Sequence, residues 1–168
     1  PSGIKLWNVA EQRETLPIGI GQQTRPLTPV SAAMSADGRL LAIGNDAGQL
    51  QIWNMQTGAI VQGELQMAED DQAIGQIRFA PSGALIAFAI EGAKLFVLPI
   101  GSDAQPTLVK DYTATLGQII DVAFSPDGRR LAVSTLDGQI TLIDLHSSGY
   151  PEERSIAPFP EGNGGWGL

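Results

Sequence analysis

Apolar residues along this chain come in short runs, and each run ends at a turn signal. In residues 119–145 the runs IIDVAFS, RRLAVST and QITLIDL are separated by Pro126-Asp127-Gly128 and by Asp137-Gly138. Runs this short, bounded by Gly, Pro and Asp, predict strands rather than helices. The breaks have their own chemistry. Pro presets φ, Asp bonds to its own backbone, and Gly accepts positive φ. Asp-Gly between two apolar runs is a strong hairpin signal. The segment therefore reads as three antiparallel strands, 119–125, 129–135 and 139–145, with a looser and more polar fourth near 153–159.

The same pattern recurs. SADGRLLAIGNDAGQLQIWN (35–54), APSGALIAFAIEGAKLFVLP (80–99) and SPDGRRLAVSTLDGQITLID (125–144) align with their turn glycines Gly38, Gly83 and Gly128 spaced 45 residues apart. The closing pairs Trp53-Asn54, Leu98-Pro99 and Ile143-Asp144 keep that spacing. Upstream, GIKLWN (3–8) matches LQIWN (50–54), which puts Trp7 one repeat before Trp53. A repeat of this period means that each unit buries its apolar faces against its neighbours.

A four-strand unit of this length that ends in an aromatic-plus-Asp-like pair resembles the WD40 repeat of β-propellers. Ser125-Pro126-Asp127-Gly128, Asp137-Gly138, Trp7-Asn8, Trp53-Asn54 and Ile143-Asp144 carry the resemblance. It implies an all-β fold, a propeller of four-stranded antiparallel blades, with about three complete blades and partial blades at both ends. Within the single unit 1–168, residues 28–65, 72–113 and 117–160 are the expected blades. Residues 1–20 are the last strands of a preceding blade (3–9 and 13–18), and the Gly-rich 161–168 begins a further one. The phase implies that the chain begins and stops within a blade. That fits a piece of a longer propeller, a ring shared by two or more chains through self-association, or a small ring whose ends complete one blade.

The sequence departs from the family in one respect. Family repeats open with Gly-His, yet the single His here is His146, after a third strand. No blade can form the buried Trp–Ser/Thr–His–Asp network, so the blades are expected to rely on apolar packing. Trp7, Trp53, Phe79 and Phe124 read as core residues at repeat-fixed positions. Trp166 lies in the Gly-rich end.

Composition narrows the partners. The 168 residues are 43% hydrophobic and 17% charged with 20 Gly and 11 Pro, an ordinary globular balance punctuated by turns. The net charge of −8 disfavours nucleic acid and an anionic membrane surface. No stretch approaches the length of a membrane span. The absence of Cys excludes disulfides, thiolate metal sites and a Cys nucleophile. No secretion signal is visible, so the default expectation is the cytoplasm.

Little in the chain points to catalysis. GNGGWG (162–167) matches Gly-x-Gly-x-x-Gly but lacks the flanking strand, helix and distal acid of a dinucleotide site. His146 with Ser147 and Ser148 has no evident orienting acid. Glu69-Asp70-Asp71 lacks calcium-loop spacing. No catalytic, cofactor-binding or metal-ligating residue is assigned, and no cofactor. The resemblance implies a protein-binding scaffold or recruitment module within a larger multidomain protein, not an enzyme. Its partner face would be built from loops before first strands and turns between second and third strands. The candidates are Glu69, Asp70, Asp71, Gln72 and Gln118 from the loops, with Asn45, Asp46, Glu91 and Asp137 from the turns. The alternative is a propeller hydrolase or ligand-binding propeller with a site in the central channel. Asp121, the one carboxylate inside a clear first strand, would be its leading residue.

Overall fold

The computed structural model describes residues 6–15, 28–67, 72–101, 103, 105–114, 117–145 and 153–156. All regular structure among them is β. Strands β1 (Leu6–Asn8) and β2 (Arg13–Thr15) pair as a two-stranded sheet. The first four-stranded sheet holds β3 (Pro29–Met34), β4 (Leu40–Asn45), β5 (Gln49–Asn54) and β6 (Ile60–Gln66). The second holds β7 (Ile74–Phe79), β8 (Leu85–Ile90), β9 (Lys94–Pro99) and β10 (Thr107–Asp111). The third holds β11 (Ile119–Phe124), β12 (Arg130–Thr135), β13 (Ile140–Asp144) and β14 (Glu153–Ile156). Each is an antiparallel meander whose spatial order is its chain order. Successive first strands pack together, β3 on β7 and β7 on β11, which puts the first strands on the inside.

The core lies between sheets. Ala42, Leu50 and Ile52 of the first sheet meet Ile74, Ile77, Ile86, Phe88, Ile90 and Leu98 of the second. On its other side the second sheet gives Ala87, Ala89 and Leu95 to Ile119, Val122, Leu131, Val133 and Ile143 of the third. This explains β8, whose LIAFAI is apolar throughout. Alternate residues point to opposite faces, and both faces are covered. Its large side chains turn toward the first sheet and its alanines toward the third. Phe88 stacks on Phe96 with ring centroids 5.6 Å apart.

The first and second sheets approach closely at Gly44. A Cβ there would lie 2.7 Å from the Ile74 side chain and 2.8 Å from the Ile74 carbonyl oxygen. The Ser31 hydroxyl donates to that same oxygen at 2.6 Å and ties the two inner strands. Each inner strand slips register against its neighbour at one repeat position, between Pro29/Ser31, Gly75/Arg78 and Ile119/Asp121. Such bulges increase twist and re-aim a side chain.

The Ser-x-Asp-Gly turns close on themselves. The Ser125 hydroxyl donates to Asp127 at 2.6 Å, the Arg129 amide donates to the same carboxylate, and the Arg130 amide donates to Ser125 Oγ. Ser35, Asp37, Arg39 and Leu40 repeat this arrangement. The hydroxyl first, then the amide, hold the Asp37 and Asp127 carboxyls below their ordinary value. The Asn of Trp-Asn has a local role as well. Asn54 Oδ1 accepts the amides of Gln56 and Thr57, and Asn8 Oδ1 accepts that of Glu11, each within the turn that follows a third strand.

One expectation is revised. Trp53 is core, with its indole N–H donated to Gln51 at 3.2 Å. Trp7 is not: it is 62% exposed, because its sheet has two strands and no described sheet covers that face. The fourth strand of the third repeat is described only over Glu153–Ile156. His146, Ser147, Ser148, the 16–27 segment and all of 157–168, Trp166 included, lie outside the described residues.

Two outcomes follow from this packing. Gly44→Ala should lower unfolding stability by about 1–3 kcal/mol in urea titration, as over-packing does, whereas Gly75→Ala, with open space around its Cβ, should change little. Carboxyls held low stabilise the fold above their unfolded value, and that contribution is lost as pH falls through the folded one. The urea midpoint should therefore drop as pH falls below about 4. The Asp37→Asn/Asp127→Asn double variant should drop less steeply over that window, and equal slopes would remove these turns from the account.

Candidate functional site

One hydrogen bond recurs in all three four-stranded sheets and defines one end of them. The first residue of each second-to-third-strand turn donates its amide to a residue just ahead of the first strand. The pairs are Asp46 to Thr28, Glu91 to Ala73 and Leu136 to Gln118. These turns and entry residues thus share one end of the blades, and the Ser-x-Asp-Gly turns occupy the other. Neighbouring sheets also join at this end, where the Ile119 amide donates to the Gly92 carbonyl. Glu91 and Gly92 both have positive φ, 50° and 66°, as the central residues of the turn that the Ala93 amide closes on the Ile90 carbonyl. A Cβ on Gly92 would sit 2.9 Å from Gln118 Cγ and would push that side chain aside, and the positive φ already favours glycine there.

The candidates fall into three groups. Asp46, Glu91, Gln118 and Asp137 are exposed on this end, and half-buried Gln72 donates its side-chain amide to Glu91 at 3.4 Å. Gln72, Glu91 and Gln118 thus gather around one turn. Asp137 also builds its own turn by accepting from the Thr135 hydroxyl and the Gln139 amide. Asn45 is a correction. It is 2% exposed, accepts the amides of Ala47 and Gln49, and donates to the Gln49 side chain, so it shapes the turn from within. Glu69, Asp70 and Asp71 lie outside the described residues.

Residue reading missed the apolar part of this end. Leu136 is 65% exposed at the turn position held by Asp46 and Glu91 in the other sheets. Ile120 sits at the bulge beside it and is also exposed. The repeat alignment carried the signal, since a Leu replaces acidic residues at a turn tip.

The inner strands carry one ion pair. Arg78 Nη2 on β7 meets Asp121 Oδ1 on β11 at 2.6 Å, with both side chains about half exposed. Asp121 is thus bound to a neighbouring blade. Among the described residues, no three acidic or histidine side chains gather closely enough to hold a metal ion.

Residues 107–144 match the family model described as WD domain, G-beta repeat. The matched segment runs from β10 through β13 and resembles a WD40 repeat. Solved propellers agree in fold. The crystal structure of the Myceliophteria thermophila Cps50 (Swd1) beta-propeller domain superposes with a TM-score of 0.59 at 18% identity, over 77% of this chain and 43% of that one. A chain in the crystal structure of the mitotic checkpoint complex reaches 0.71 at 14% identity, over 90% of this chain and 43% of its own. In sequence, the periodic tryptophan protein 2 homolog of Neurospora crassa is 27% identical over 110 residues, which are 65% of this chain and 12% of that protein. Its Schizosaccharomyces pombe counterpart is 24% identical over 114 residues, 67% of this chain and 13% of that protein. The match therefore spans about an eighth of the length of those relatives. WD40 propellers typically bind protein partners.

An exposed ion pair is worth about 0.2–1 kcal/mol. Asp121→Asn should thus shift the urea midpoint only slightly, and added salt should erase the difference. A large loss that resists salt would make the pair a structural tie between blades.

Proposed function

We propose that this chain is a non-catalytic protein-binding module whose partner docks on the end formed by the second-to-third-strand turns. The observation that carries the reading is the asymmetry of the two ends. At the Ser-x-Asp-Gly end, Asp37 and Asp127 are consumed by their own turns. At the other end Asp46 and Glu91 are exposed, and the third sheet adds exposed Leu136 and Ile120. Protein interfaces combine apolar and polar side chains in this way. Acidic side chains and a net charge of −8 favour a partner with a basic surface and disfavour nucleic acid.

Family likeness supports the same reading. One matched propeller comes from a structure of a multiprotein complex. The matched relatives are several times longer than this chain, which supports a place within a larger protein. A channel enzyme has less support, because Asp121 already has Arg78 as its counter-ion.

A photo-crosslinking residue tests the proposal directly. Placed at Glu91 or Gln118 it should trap the same bound protein, and placed at Asp37 it should trap none. Glu91→Lys combined with Asp137→Lys should weaken that complex about tenfold or more, with Asp121→Asn leaving it intact. Trapping from position 37 alone, or binding indifferent to the charge reversals, would refute the assignment of this end.

A further inference from the structure

We propose that the turn end receives its partner as an extended basic segment that seats one apolar side chain over Gly75, in an opening between the inner strands β7 and β11. The proposal rests on the reading of this end as the partner face, and adds what the partner must bring to it. Gly75 is a glycine that the fold does not require. Its φ is not positive, so the backbone there accepts other residues. A Cβ built on it meets nothing within 4 Å, so no close approach excludes a side chain. The bulge of this strand falls on the next two residues, Gln76 and Ile77. One repeat away on either side the same position carries Val30 and Ile120, both large and exposed. A strand glycine without such a local reason marks a place where a ligand or another backbone comes close.

The side on which Gly75 opens follows from its pairing. Gly75 pairs Ala89 and Arg78 pairs Ala87, and both alanines pack toward the third sheet. Cross-strand partners share a face, so Gly75 and Arg78 turn the same way. Arg78 fills its share of that side by reaching Asp121 on β11. Gly75, nearer the turns, fills nothing. The second sheet has a described neighbour on each side, so this opening and the exposure of Glu91 hold with both flanking sheets in place. What borders the opening sets the chemistry of its occupant. At the floor Arg78 and Asp121 neutralise each other, and a further charge gains little there. Ile120, next to Asp121 on β11, adds exposed apolar surface. The unmet charge lies higher, at the rim. Glu91 receives only the long hydrogen bond from Gln72 among the described residues, and Asp46 is exposed at the same turn position of the first sheet. Lysine or arginine on either side of an apolar residue complements that rim, while the apolar residue itself suits the uncharged floor.

Selection from a random peptide library displayed on phage, against the full 168-residue chain, tests the proposal. The enriched sequences should carry an aliphatic or aromatic residue flanked by Lys or Arg. A synthetic peptide of that sequence should bind Gly75→Phe about tenfold or more weakly than the wild type. Gly75→Ala, whose added methyl meets no neighbour, should keep the wild-type melt and weaken binding less. As a check that needs no variant, the same peptide with photo-leucine at its apolar position should label β7 around Gly75. No enrichment, acidic sequences, or basic sequences without an apolar residue would overturn the proposal. So would labelling confined to other strands. A peptide that ignores Gly75→Phe but is lost on Glu91→Lys would remove the seat over Gly75 and leave the turn end as the partner face. A peptide indifferent to both substitutions would count against both readings.

Discussion

The contact on which the rest depends is the apolar packing of one four-stranded sheet on the next. A close point is Gly44 against Ile74, where even a methyl group has no room. No single sheet here is thick enough to shield itself from water, so each obtains its core from a neighbour. The second sheet illustrates this best. Phe88 and the isoleucines of β8 fill the gap on one side, and Ala87 and Ala89 let the third sheet approach on the other. Large and small side chains alternate along one strand, and each set fills the core on its own face. Stability in such a stack is a sum of neighbour terms rather than a property of one central core.

Packing of this kind also divides the molecule into two ends with different chemistry. At one end, Ser, Asp and backbone amides satisfy one another within each turn, and little is left for a partner. At the other, backbone hydrogen bonds hold the turns against the entry residues and leave Asp46, Glu91 and Leu136 outward. The inner strands contribute a bulge at the same repeat position in every blade, which brings Ile120 to the surface close to that end. Binding capacity here therefore arises from what the scaffold leaves unsatisfied.

Much of this was legible in the residues themselves. The apolar runs and turn breaks located the first three strands of the third sheet, and the 45-residue recurrence carried the pattern to the other two, because turn chemistry is local and alternation is a property of single strands. What depends on neighbours was not legible. Trp7 and Trp53 look alike along the chain, and only the presence or absence of a covering sheet separates 62% exposure from 5%. Asn45 looked like a surface residue until its side chain proved to be the inner scaffold of its turn. Leu136 carries no charge to mark it, although an apolar residue at a turn tip carries at least as much information.

Native-state hydrogen exchange on the described strands would test the stacked-sheet account most directly. If the sheets depend on one another as argued, the amides of Ile77, Phe88 and Val133, which span the second and third sheets, should open together in one common event of similar free energy. Separate openings, with one sheet fully exchanging while its neighbour stays protected, would contradict it.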